Sequence, residues 1–243
     1  MAPKNSKSTP SRNPLRSKAS FSDPTPSHIW FRDNKAYTDF SEKFFRQGIH
    51  LERQVVPSNF SDTDLPTVIY SSGWESLCDM SVTCPFVIIQ EFYSNMHGFD
   101  YSVPHFITRV RGMCIIVTSG LISEMLHVLR VAHPDYPSCD SLKTVFKHEL
   151  MSRFCGTPSS WGGIQNTPYS AFAKGSRFLN MVMTFALYPL SHYNSITEPR
   201  ARFLLSLLEG LTIGFLSHFI LSLMDVYKNT GSFSFHTLPY GCL

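Results

Sequence analysis

The apolar positions of this chain recur mostly at helical spacing. Tyr37, Phe40 and Phe44 lie three and four positions apart, which places them on one face of a helix over residues 35–47. The same kind of pattern covers five other stretches of the chain, namely 86–96, 121–131, 141–154, 169–190 and 200–227. The sequence therefore predicts a mainly α, multi-helix globular domain.

Residues at the ends of these patterns indicate where the helices begin and end. Pro85 is suited to the first turn of the helix over 86–96, and Gly98 to its C-terminal cap. Gly156 is expected to end the helix over 141–154. The run Ser195-Ile196-Thr197-Glu198 has the spacing of a capping box, and Pro199 follows in the first turn.

The last apolar pattern contains two glycines, Gly210 and Gly214. A glycine inside a helical pattern either breaks the helix or lets a neighbouring element approach closely. The sequence leaves both alternatives open.

Residues 105–117 have a different character, because they are β-branched and aromatic around Gly112. This stretch predicts a small β hairpin or one bent strand, which must pack on the helices because an isolated hairpin is marginally stable. Arg109 and Arg111 lie two apart and so are expected on one face of the strand. They could contact a phosphate or carboxylate, although a solvated face of an edge strand is the more frequent arrangement.

The first 28 residues are rich in Ser, Pro, Lys and Arg, a composition that buries too little apolar surface to fold. We therefore expect residues 1–28 to form a disordered basic tail and residues 29–243 a single, mostly helical domain. The net charge of +3 is uneven, since the first 20 residues hold five bases and no acid, leaving 16 bases against 18 acids. Phosphate neutralisation supplies most non-specific nucleic-acid affinity. The candidate nucleic-acid contacts are therefore Lys4, Lys7, Arg12, Arg16 and Lys18.

The cysteines and the apolar runs indicate an intracellular protein without a membrane span, in the nucleus or the cytoplasm. The six cysteines form no CxxC pair and lack the dense spacing of a disulfide scaffold, so we expect reduced thiols. No apolar stretch follows the N-terminal bases, as a secretory signal would require. The uncharged run 210–224 is shorter than the roughly 20 residues that a span needs, and residues 178–193 are interrupted by polar side chains and Pro189.

Candidate chemistry is sparse. The ten histidines include no HxxxH or HExxH pair, and the neighbours His148 and Glu149 do not share a helix face. His127 is expected on the solvated face of its helix. Nucleophile-elbow and glycine-rich phosphate-binding motifs do not occur. The sequence therefore predicts no catalytic residues, no metal site, no cofactor and no small-molecule substrate, which is a non-enzymatic protein.

Several short segments, taken in order, resemble the putative plant transposon protein domain encoded by Athila-like retrotransposons, over about residues 33–243. The segments that carry this resemblance are Leu51-Glu52-Arg53, Gly73-Trp74-Glu75-Ser76-Leu77, Gln90-Glu91-Phe92-Tyr93-Ser94-Asn95-Met96, Val110-Arg111-Gly112, 187–197 and Leu238-Pro239-Tyr240-Gly241. The family pattern continues beyond the last segment, so the resemblance also implies a chain that is cut short.

The resemblance implies a retrotransposon-derived, non-enzymatic protein that acts as a structural or interaction module of a plant retroelement. Its expected partners are a further copy of itself or another protein. The alternative is a nucleic-acid-binding protein that uses the basic tail, with weak binding to DNA or RNA. The resemblance supplies no catalytic residues.

Overall fold

The computed structural model describes residues 28–49, 55–78, 84–136, 139–158, 171–184, 196–230 and 237–238. These residues are mostly helical and include a small antiparallel sheet, so the mainly α prediction is confirmed for them. The predicted disordered tail lies outside the described residues, apart from its last position, His28.

The described part of the chain contains ten α-helices. They are α1 (Asn34–Thr38), α2 (Leu65–Ser72), α3 (Glu75–Cys78), α4 (Phe86–Ser94), α5 (Ser119–Leu126), α6 (Asp140–Thr144), α7 (Lys147–Cys155), α8 (Lys174–Val182), α9 (Glu198–Leu208) and α10 (Phe215–Asn229). Short 3₁₀ turns occupy His28–Trp30 and Pro57–Phe60, and α1 continues directly into a π-helical segment at Asp39–Phe44. No helix of the described residues is both long and apolar enough to cross a bilayer.

Among the described residues, the strands form two separate pairings. They are β1 (Gly48–Ile49), β2 (His97–Asp100), β3 (His105–Val110), β4 (Met113–Thr118) and β5 (Thr237–Leu238). The order β2-β3-β4 gives an antiparallel sheet, and β1 pairs in parallel with β5. The predicted hairpin is therefore confirmed as β3 and β4.

Sequence analysis missed β2 and the β1–β5 pair. The four residues of β2 read His-Gly-Phe-Asp and contain no β-branched side chain. The paired parts of β1 and β5 are two residues each, which is too short for a periodic pattern. Pairing with an adjacent strand, rather than the intrinsic preference of their own residues, holds these segments in extended form.

One hydrophobic cluster includes buried side chains from Phe44 to Val226. Helix α10 contributes the largest share of it and packs against α5 and β3. Phe44 stacks between Tyr93 of α4 and Tyr227 of α10, with 6.0 Å between ring centroids in each pair. These aromatic contacts join the N-terminal helical segment to the C-terminal one.

The predicted helix over 200–227 is two helices, and its two glycines act differently. Gly210 has φ +66°, a left-handed conformation that ends α9. Gly214 allows a close approach, because a Cβ there would lie 2.9 Å from Cγ of Pro134. Both alternatives left open by the sequence are therefore present.

The expected capping box does not start α9. The N-cap is Thr197, with an extended backbone, and the helix begins at Glu198 with Pro199 in its first turn. A capping box would have required the helix to begin earlier, just after Ser195, which lies outside the described residues. The predicted helix and the proline in its first turn are confirmed, but the predicted capping box is wrong.

Two other helix boundaries differ from the sequence prediction. Helix α4 ends at Ser94, and Gly98 lies in β2 with φ +62° instead of ending the helix. The helix predicted over 141–154 is divided into α6 and α7 by extended backbone at Val145 and Phe146. Gly156 does end α7, with φ +68°, as expected.

Candidate functional site

Two of the segments that carry the family resemblance meet in a buried polar cluster. We call it the Glu91–Asn95 cluster and define it by Trp30, Arg32, Glu91, Asn95 and Arg111. Helix α4 supplies the carboxylate and the amide, the turn between β3 and β4 supplies Arg111, and the N-terminal turn supplies the other two residues.

Asn95 connects three elements through its side chain, which is fully buried. Its Oδ1 accepts a hydrogen bond from the backbone N–H of Arg32 at 2.8 Å. Its Nδ2 donates to the backbone oxygens of Trp30 and Arg109, each at 3.0 Å. One amide thus fixes the N-terminal turn and strand β3 to the end of α4.

Glu91 holds the turn between β3 and β4. Its side chain is fully buried, and Oε1 accepts a hydrogen bond from the backbone N–H of Arg111 at 2.5 Å. The Arg111 Nε lies 3.4 Å from Oε2. Burial raises the pKa of Glu91, and the hydrogen bond and charge of Arg111 oppose that increase. Arg111 itself has a left-handed conformation, with φ 51°.

Arg111 closes the cluster from the outside. Its guanidinium carbon lies 4.0 Å from the centroid of the Trp30 ring, a cation–π contact that the N-terminal turn provides. The carboxylate of Glu91 is therefore covered by the arginine that neutralises it. This arrangement joins three elements and is suited to a structural role.

The two arginines of the hairpin do not share a strand face. Arg109 lies on β3, the central strand of the sheet, whereas Arg111 lies in the turn. The predicted edge-strand face is therefore wrong. The alternative that one arginine contacts a carboxylate is correct for Arg111, and that carboxylate belongs to the same chain.

An apolar cavity of about 240 Å³ lies between α4, the hairpin, α5 and α10. Its lining is apolar side chains together with the thiol of Cys84 and the ring of Tyr93. Burial raises the pKa of Cys84, which keeps the thiol protonated and a poor nucleophile at neutral pH. The cavity can accept an apolar group but presents no set of acid, base and nucleophile.

The structure keeps apart the histidines considered from the sequence. His127 follows the end of α5 in a left-handed conformation and is exposed, so it does not lie on a helix face. His148 stacks on Phe146 with 5.7 Å between ring centroids, and Glu149 pairs with Arg153 at 2.7 Å. In the described part of the chain, no group of three His, Cys, Asp or Glu side chains is placed to hold a metal ion.

The tail bases Lys4, Lys7, Arg12, Arg16 and Lys18 lie outside the described residues, so their role stays a prediction.

Sequence analysis missed several polar side chains that lie inside the fold. Gln90 and Glu91 occupy the middle of α4, and both are buried although their side chains are polar. Gln90 donates to the backbone oxygen of Phe45 at 3.0 Å. His218 stacks on Phe203 with 4.8 Å between centroids, and burial lowers its pKa to about 4. The burial of Gln90 and Glu91 could have been suspected from the apolar residues on both sides of them, because these leave α4 without a continuous polar face.

The fold defines a class of protein, namely a mostly helical domain with a small antiparallel sheet. Within it, the Glu91–Asn95 cluster joins α4, the β3–β4 turn and the N-terminal turn. The chain belongs to the putative plant retrotransposon-related domain family, whose model matches residues 71–243. The resemblance to plant retrotransposon-derived proteins is therefore confirmed.

The matched range contains both segments that build the cluster and leaves Leu51-Glu52-Arg53 outside. No curated protein and no solved structure matches the chain.

Proposed function

We propose that this domain is a non-enzymatic protein–protein assembly module of a plant retroelement. The observation that carries the proposal is the exposure of large apolar side chains on the sheet and its turns. Met113 and Ile116 of β4 are 71% and 56% exposed, and Tyr101 and Val103 are exposed in the turn between β2 and β3. Exposed apolar groups collected on one element are typical of surfaces that bind another protein.

The state of the buried polar groups supports an assembly role over turnover. Glu91 is covered by Arg111, and His218 stacks on Phe203 and meets Tyr136 edge-to-face, with its pKa lowered by burial to about 4. Catalytic acids and bases instead need access to a substrate and a pKa near the working pH. These two groups are enclosed by other side chains of the domain, whereas the exposed apolar side chains are free to contact other chains.

The test is the mass of the full-length chain as a function of concentration. We expect sedimentation velocity to show a mass that rises reversibly from low to high micromolar concentration. A protein that stays monomeric over the whole range would refute self-assembly.

The uneven charge distribution favours a second function, nucleic-acid binding by the tail. All five bases among the first 20 residues lack a neighbouring acid, whereas the rest of the chain carries more acids than bases. If the five tail bases contact duplex phosphates, each releases counter-ions and strengthens the salt dependence of binding.

This second function is tested with a variant in which the five tail bases are replaced by alanine. We expect the slope of log K against log salt concentration to decrease in magnitude by about 4 for duplex DNA. The control replaces the exposed bases Arg130 and Lys143 of the folded part, which should leave the slope unchanged. Absence of binding by the full-length chain at low salt would refute the proposal.

A further inference from the structure

Strand β4 lies at one edge of the three-stranded sheet. The order β2-β3-β4 leaves one side of β4 without a neighbouring strand among the described residues. An edge strand presents main-chain N–H and C=O groups that can pair with a strand of another chain.

The turn between β3 and β4 determines which residues present those groups. It has two residues, Arg111 and Gly112, with φ 51° and 81°, the signature of a type I′ hairpin. In such a hairpin the closing pair, Val110 and Met113, exchanges main-chain hydrogen bonds, and the pairs then alternate.

Met113, Ile115 and Val117 therefore bond to β3. Cys114 and Ile116 direct their main-chain groups away from the sheet. Both also have exposed side chains.

The two edges of the sheet differ in how they are protected. On β2 the register is irregular between His97 and Asp100, Gly98 has a positive φ, and an acid ends the strand. Irregularity and charge are the devices that keep an edge from pairing. Strand β4 reads Met-Cys-Ile-Ile-Val-Thr, has no charge and no proline, and keeps an unbroken register with β3 over all six residues.

We propose that a second copy of this chain pairs its own β4 with this edge in antiparallel orientation, joining two sheets into one across a two-fold axis. The inference rests on the assembly function proposed above and names its surface. A second copy is the occupant that fits, because β4 is itself an uncharged strand already held in extended form by β3. Charge complementarity gives no reason for a different partner, since the edge carries no charge.

The exposed groups also determine the register. Pairing Cys114 of one copy with Ile116 of the other, and the reverse, satisfies the outward main-chain groups of both residues. The two-fold axis then passes at Ile115, which faces its own copy in a pair without main-chain hydrogen bonds. Other registers would use Gly112 of the turn or Thr118, which is the N-cap residue of α5 and so has its main-chain carbonyl committed to that helix.

A contact confined to this strand is small compared with a standard interface of roughly 1,600 Å². In an interface with two-fold symmetry, however, each contact occurs twice, so one substitution per chain alters two positions of the interface. We therefore expect a reversible dimer with a dissociation constant on the order of micromolar.

The experiment compares three variants of the full-length chain by sedimentation velocity. Ile116→Lys adds a charge to the edge, and Ile116→Pro removes an outward N–H while leaving the β3–β4 hydrogen bonds in place. Each should raise the dissociation constant about tenfold or more, because the change acts twice in the interface. The control, Phe146→Lys, alters a side chain that is 70% exposed between α6 and α7, and it should dimerise like wild type.

A second measurement decides the register and covers the case in which Ile116→Pro does not fold. Ile115→Cys, in a Cys114→Ser background, should form a covalent dimer on mild oxidation, since residues facing each other across such a pair lie within disulfide range. Leu208→Cys in the same background is the control on a distant helix and should remain uncross-linked.

Dimerisation that persists unchanged in both Ile116 variants, or no cross-link at Ile115→Cys, would overturn the β4 interface and leave the assembly function standing. A wild-type chain that is monomeric throughout would overturn both.

Discussion

Replacing Asn95 by alanine should destabilise this fold more than its small loss of volume suggests. The substitution removes the hydrogen bonds to the N–H of Arg32 and to the backbone oxygens of Trp30 and Arg109. Each backbone group then loses its partner in a partly buried position, at a cost of about 1 kcal/mol. The sum predicts a decrease of about 3 kcal/mol in the free energy of unfolding.

Urea unfolding followed by tryptophan fluorescence and circular dichroism measures this decrease, and Trp30 reports on the cluster itself. The matched control is Asn180→Ala, because Asn180 is also a buried asparagine but its side-chain oxygen has no hydrogen-bond partner. Removing that oxygen relieves an unfavourable burial, so this variant should lose about 1 kcal/mol or less. Equal losses in the two variants would refute the view that hydrogen bonds of Asn95 hold the N-terminal turn in place.

Two further predictions concern packing and pH. Gly214→Ala should lose about 1–3 kcal/mol of stability in urea unfolding, because its Cβ would meet Pro134 at 2.9 Å, whereas Gly175→Ala, with nothing within 4 Å, should gain stability. Equal effects would contradict the close approach. Burial lowers the pKa of His218 from 6.5 to about 4, so its contribution to stability, up to about 3 kcal/mol, is present above pH 6.5 and lost as pH falls toward 4. His218→Phe should remove that part of the pH dependence in unfolding curves recorded between pH 4 and 7, and an unchanged slope would contradict it.

The existence of most helices and of the hairpin could be predicted from the sequence. Apolar side chains at spacings of three and four, such as Tyr37, Phe40 and Phe44, specify a buried helix face whatever the rest of the chain does. The β-branched run around Gly112 specifies a hairpin for the same local reason.

Whether a polar side chain is buried or exposed could not be predicted in the same way. Gln90 and Glu91 are polar, and they are buried because the N-terminal segment and the β3–β4 turn pack over them. The approach of Gly214 to Pro134 is also a contact between residues far apart in sequence. Such contacts join residues far apart in sequence, so no local pattern contains them.

The sequence by itself determined where apolar faces and extended segments form, because those preferences arise from neighbouring residues along the chain. Only the tertiary structure decided which strand lies at the open edge of the sheet and which carboxylate lies under an arginine. Both outcomes depend on how separate elements pack, and the free energy of that packing is shared among residues that the sequence places far apart.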